Sequence, residues 1–233
     1  YYYFFIMSYW SDLDSRLFTL KEDGYVKLPS ISEFDLEKVA LDIKNEMAEN
    51  TFAELGSSHQ SFLNDLGLES NLAPKLYEIA KSSLGYKGDI SNQYHIARKV
   101  EPGNSKEMYR AHFDSHLFTL VLPIKIPSPS NGGTAGDLVY FPQARKSPSS
   151  EIKNFFEKAS FKRYASKEGI EELSKKNIQI TDDFNDYCPL LFIGNTTLHT
   201  NKPVTHDCSS YRLTLLAHFF DPSPKYGVGN LLR

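Results

Sequence analysis

The chain has 233 residues, 40% of them hydrophobic and 13% aromatic, with 26 lysines and arginines against 29 aspartates and glutamates for a net charge of -3. This composition excludes intrinsic disorder, and the near-neutral balance supplies no bulk electrostatic pull toward nucleic acid or an anionic membrane. Cys188 and Cys208 are too few for a disulfide framework or a cysteine-rich zinc site, and no stretch approaches the ~20 apolar residues that span a bilayer, so the expectation is one soluble, cytoplasmic domain.

The aromatic run Tyr1 to Ile6 has no basic segment before it and no small-residue cleavage site after it, so it does not read as a signal peptide; Met7 reads as a natural start. In LFTLKEDGYVKLP (17–29), Asp23-Gly24 predicts a turn and Tyr25, Val26 and Leu28 a short strand. Ser32 then stands as an N-cap for a helix carrying Leu36, Val39, Ala40, Ile43 and Met47 at helical spacing. A second helix follows from Leu72, Leu76, Ile79, Ala80 and Leu84, capped near Ser70 or Asn71 and stopped by Gly85.

Beyond Gly88 the pattern turns to β. The segments 91–100, 116–126, 136–142, 189–195 and 211–220 are rich in branched and aromatic residues and are separated by turn clusters. Strands after a helical pair predict a mainly β, α+β fold: a jelly-roll, cupin-like barrel at about 89–222, buttressed by helices at about 17–88. The stretch 143–187 reads as a helical insertion between barrel strands, with helix-like pieces near 149–159 and 167–176. Between Arg145 and Lys176 it carries nine basic against five acidic residues, and Arg145, Lys162 and Arg163 are its candidate anion clamps.

The chemistry concentrates in YRAHFDSH (109–116), where His112 and Asp114 stand two apart and share a face of extended chain. A second imidazole from a distant strand would complete a facial triad of two histidines and one carboxylate, the set that leaves three positions open on Fe(II). His199 has room for that role, whereas His206 lies only six residues before Arg212, and His218 reads as a barrel-end residue. His116 shares the parity of the pair and is a candidate pocket residue, and His95 lies on a strand whose inner face sequence leaves open. Arg212 interrupts an apolar strand with Thr214 two residues on; a buried guanidinium is costly unless an anion meets it, and its planar fork suits a carboxylate.

His112-x-Asp114, the distal His199 and Arg212-x-Thr214 in YRLTLLAHF resemble the Fe(II)/2-oxoglutarate-dependent dioxygenases over roughly residues 17–222. The opening DGYVKLP, the HFD triplet and the GDLVYFP strand are most similar to the phytanoyl-CoA dioxygenase-like branch. The resemblance implies a double-stranded β-helix and one oxygenase domain over 1–233. It implies iron held by His112, Asp114 and His199, 2-oxoglutarate held by Arg212 and Thr214, and dioxygen as oxidant. Retention of Asp114, where related halogenases carry a small residue, implies hydroxylation or a similar oxidation rather than halogenation. Two other readings are a cupin-like binding or regulatory module without oxygenase activity, and a zinc hydrolase, which leaves Arg212-x-Thr214 unexplained. The expected partner is a small molecule, anionic if the insertion's cations face it, rather than nucleic acid or membrane.

Overall fold

The computed structural model describes residues 8–54, 56–104, 108–148 and 151–222; the aromatic run 1–6 and residues 149–150 of the expected 149–159 helix lie outside the described residues. Four helices, α1 (Leu13–Asp23), α2 (Leu36–Met47), α3 (Ser57–Leu66) and α4 (Ala73–Leu84), alternate with two short strands, β1 (Tyr25–Lys27) and β2 (Phe52–Glu54). Strands β3 (Gln93–Val100), β4 (Phe118–Lys125) and β5 (Leu138–Phe141) follow. The insertion forms α5 (Glu151–Phe161), a 3-10 turn (Lys162–Tyr164) and α6 (Lys167–Ser174), and the chain closes with β6 (Ile180–Asp182), β7 (Leu190–Ile193), β8 (Leu198–Asn201) and β9 (Arg212–Phe219). No described helix is long and apolar enough to cross a membrane.

The expected barrel is two separate antiparallel sheets rather than one closed wall: a six-stranded sheet in the order β1-β7-β4-β9-β3-β2 and a three-stranded sheet, β6-β5-β8. Strand alternation sorts the side chains into layers. From β9, Leu213, Leu215, Ala217 and Phe219 join Leu120 and Leu122 of β4 and the buried residues of all four N-terminal helices in the main core. The alternate residues Arg212, Thr214, Leu216 and His218 face a cavity between the sheets, as do Thr119 and Val121 of β4. On β5, Leu138 and Tyr140 pack between the sheets, whereas Val139 and Phe141 meet Tyr164, Ile170 and Leu173 of the insertion on the far side. Pro123 sits inside the central strand β4, next to a register shift between Pro123 and Lys125, where a missing ladder hydrogen bond is tolerated.

Several local expectations change. The Asp23-Gly24 turn is the C-terminus of α1: Gly24, at φ 82, donates its N–H to the Leu20 carbonyl. The N-cap of α2 is Asp35, whose carboxylate accepts from the Lys38 N–H; Ser32 lies a turn too early. Neither Ser70 nor Asn71 caps α4, because a π-helical turn, Leu68–Leu72, runs straight into it.

Candidate metal centre

His112 and His199 are brought together by the backbone itself. They form an isolated antiparallel bridge in which each N–H donates to the other's carbonyl at 3.1 Å, and the Asp114 N–H donates to the Gly194 carbonyl at 3.1 Å. His199 comes from β8, where it pairs with Tyr140 of β5. The three side chains converge, with ligand atoms within 4.8 Å of one another. Asp114 Oδ1 is the common point, 3.6 Å from His112 Nε2 and 3.7 Å from His199 Nε2.

The remaining hydrogen bonds orient this set. His112 Nδ1 lies 2.8 Å from the Arg110 carbonyl and His199 Nδ1 lies 3.2 Å from the Thr197 carbonyl. Both rings therefore carry their proton on Nδ1 and direct the Nε2 lone pair at Asp114, the arrangement that serves metal ligation. Thr119 Oγ1 donates to Asp114 Oδ2 at 2.5 Å, so Oδ1 alone remains to face the imidazoles. Having one proton to give, the same hydroxyl accepts from His218 Nδ1 at 3.1 Å. His218, next to last in β9 and outside the triad as its spacing from Arg212 suggested, is in addition a support behind the carboxylate. His116 stacks on it at 5.2 Å instead of lining the cavity, while His206 packs on Gly103 and His95 lies on the helix side of β3, 3.7 Å from Glu69.

Gly194 permits this closeness: a Cβ there would stand 2.8 Å from Thr119 Oγ1 and 3.1 Å from Asp114 Cβ. Burial alone would raise the Asp114 pKa, but His199, His218, His112 and the Thr119 hydrogen bond outweigh it and hold the carboxyl well below the usual range. Burial lowers His199 to about 4, offset only in part by Asp114. The stability that neutral His199 contributes is therefore present above pH 6.5 and is lost as pH falls through about 4. Asp114, depressed in the folded state, adds to the loss at still lower pH. Urea unfolding of metal-free protein between pH 7 and 4.5 is expected to show stability falling by up to about 3 kcal/mol, with a shallower fall in His199→Gln. Equal slopes in both proteins would remove His199 as the cause.

A cavity of about 610 Å³ runs from the triad to Arg212 and Thr214, with Val121, Leu138 and Leu216 on its walls. Its two ends differ in access: the His112 side chain is 57% exposed, whereas Arg212 is 4% exposed. Among the described residues the Arg212 guanidinium makes no hydrogen bond or ion pair; its Nε is buried without a partner, and its charge meets the Phe184 ring at 5.5 Å. Burial first, and Arg98 second, bring its pKa down to about 9 against the smaller pull of Asp137 and Asp182, so it is cationic at neutral pH. Space for it depends on Gly136, at φ 81, where a Cβ would lie 2.9 Å from Arg212 Nη1.

No protein-family model matches the sequence, and no curated protein does. Solved structures do. A prolyl-4-hydroxylase from Pseudomonas putida is 13% identical at a TM-score of 0.52, covering 92% of this chain and 98% of that one. SnoN, a non-heme alpha-ketoglutarate-dependent epimerase of nogalamycin biosynthesis, is 15% identical at 0.51, covering 91% and 84%. HygX from Streptomyces hygroscopicus, solved with iron bound, is 10% identical at 0.51, covering 88% and 85%. The chain shares its fold with these proteins.

Of the insertion's candidate clamps, Lys162 alone lines the cavity. Arg145 is a buried strut: it lies 4.0 Å over the Phe113 ring, donates to the Asn195 carbonyl at 2.8 Å and pairs with Glu157 at 3.3 Å. Arg163 turns to Tyr164, donating to its hydroxyl at 2.6 Å. The sequence reading missed Thr119 and Gly194. Thr119 was detectable as the one hydroxyl in the apolar strand FTLVLPI; no local signal marks Gly194, whose constraint comes from two other segments.

Proposed function

We propose that this chain is an Fe(II)- and 2-oxoglutarate-dependent oxygenase of one domain, hydroxylating a small molecule with conversion of 2-oxoglutarate and dioxygen to succinate and carbon dioxide. The observation that carries the reading is Arg212, a buried guanidinium without a hydrogen bond, in the same cavity as the triad. A desolvated cation whose nearby carboxylates, Asp137 and Asp182, make no direct ion pair with it among the described residues is what a site that receives an anion requires. The triad fits a metal by the same test, since both imidazoles have Nδ1 satisfied and Nε2 aimed at the carboxylate oxygen Thr119 leaves available. The two sheets support a reading as an open double-stranded β-helix. The HFD triplet and the DGYVKLP opening support a place in the phytanoyl-CoA dioxygenase-like branch.

In this reading His112, Asp114 and His199 hold the iron, whose chemistry is the activation of dioxygen coupled to 2-oxoglutarate decarboxylation. Arg212 binds the far carboxylate of 2-oxoglutarate through its fork and Thr214 donates its hydroxyl to the same group. Thr119 and His218 keep Asp114 from turning, and Val121, Leu138 and Leu216 exclude water along the cavity. The test is incubation with Fe(II), 2-oxoglutarate and air, with succinate measured in the absence of added substrate. Slow succinate formation that needs both metal and 2-oxoglutarate is expected; succinate at the level of a metal-free blank, together with no 2-oxoglutarate binding, would favour a binding module instead.

A further inference from the structure

A second cavity, of about 450 Å³, opens on the helix side of β3, across that strand from Ile96 and Arg98 of the triad cavity, and Glu69, Gln93 and His95 meet on its wall. Gln93 and His95 stand two apart on one face of the strand, and Glu69 comes from the π-helical turn between α3 and α4. The His95 side chain is 9% exposed, yet both of its ring nitrogens are buried without a hydrogen-bond partner, as is Gln93 Oε1. Buried polar atoms of this kind are costly unless something in the cavity meets them. The carboxylate is set as the triad's is. Gln93 Nε2 donates to Glu69 Oε2 at 3.2 Å, which leaves Glu69 Oε1 facing His95 Nε2 at 3.7 Å. In the triad, Thr119 takes Asp114 Oδ2 and leaves Oδ1 3.7 Å from His199 Nε2. A gap of 3.7 Å is too long for a hydrogen bond and admits an ion at about 2.0–2.2 Å from each atom. Burial lowers the His95 pKa and Glu69 offsets only part of the shift, so the imidazole is neutral at neutral pH and keeps a lone pair for a ligand.

We propose that His95, Glu69 and Gln93 form a second metal site, which binds a divalent ion such as Zn(II) through His95 Nε2 and Glu69 Oε1 with Gln93 Oε1 as the third donor. One imidazole nitrogen and two oxygens, with the remaining positions open to water, suit Zn(II) or Co(II); Mg(II) and Ca(II) take oxygen ligands and gain little from the imidazole. Glu54, on the same cavity wall, adds a second negative charge that favours a cation. The ion ties the π-helical turn to β3 and so fastens the helical layer to the main sheet. The site shares no residue with the triad and stands whether or not the oxygenase reading does.

The experiment is a calorimetric titration of the metal-free full chain with Zn(II), repeated with Ca(II). Two equivalents of Zn(II) are expected in the wild type and one in His95→Ala, whose remaining equivalent still supports 2-oxoglutarate binding. Glu69→Gln, at a half-exposed side chain, tests the site without opening a cavity and is expected to weaken the second equivalent by about 10-fold or more. Melting temperatures give a readout free of the triad: Zn(II) is expected to raise that of Asp114→Ala and to have no such effect once His95→Ala is added. Zn(II) binding that both His95→Ala and Glu69→Gln leave unchanged, or a second equivalent missing from a wild type whose triad is loaded, would overturn the site. Ca(II) binding as tightly as Zn(II) would overturn the role of the imidazole and the site with it. Failure of the oxygenase reading has a different signature, a single wild-type equivalent that His95→Ala abolishes.

Discussion

Arg212→Met is expected to weaken 2-oxoglutarate binding by about 30- to 5000-fold, the equivalent of roughly 2–5 kcal/mol for one buried charge-assisted contact. The same substitution is expected to leave the melting temperature of the ligand-free protein unchanged or higher. Among the described residues Arg212 has no direct ion pair, only the longer-range pull of Asp137 and Asp182, and replacing a buried cation so partly compensated by an apolar chain of similar length removes a desolvation cost. Opposite signs for affinity and stability are what a side chain retained for a ligand produces. Anaerobic titration of the metal-to-ligand absorption band with 2-oxoglutarate, beside thermal melts, measures both. Unchanged affinity would remove Arg212 from the cosubstrate site, and a large drop in melting temperature would make it a structural residue.

For Asp114→Ala the expected result is loss of metal binding by on the order of 100-fold or more and loss of succinate formation, because two neutral imidazoles remain where a carboxylate bridged them. The cost in folding is expected to be much smaller, about 1–3 kcal/mol for the orphaned Thr119 hydroxyl and its His218 partner. Calorimetry with Mn(II) and urea unfolding separate the two effects. Wild-type metal affinity in the variant would exclude Asp114 as a ligand, and loss of the folded state would leave the carboxylate with a structural role.

Much of the scaffold was legible because its signals are local. Branched and aromatic runs bounded by glycine, proline and asparagine located β3, β4, β5, β7 and β9 to within about three residues, and the 3.6-residue repeat located α2 and α4. Yet α1 was overlooked although Leu13, Leu17 and Leu20 share a buried face, because the exposed Phe18 blurs the stripe and Asp23-Gly24 looks like a hairpin. The short strands β2 and β6 carry too few residues for any periodicity, and they exist because β3 and β5 offer them an edge.

The sequence by itself determined the parity of the site. Arg212 and Thr214 on one face of an apolar strand, and His112 two residues before Asp114, follow from strand geometry, and the cost of a buried guanidinium already pointed to an anion. Only the tertiary structure decided which groups meet. Nothing in the spacing of His199, His206 and His218 reveals that a β-bridge seats the first against His112, that the second sits on Gly103, or that the third stands behind Asp114 through Thr119. Nor does the basic insertion reveal that Arg145 is spent on Phe113 and Glu157 while Lys162 faces the cavity. Those pairings join segments up to about a hundred residues apart, where the hydrophobic layers on each side of a sheet fix distance and direction and the local pattern carries no information about either.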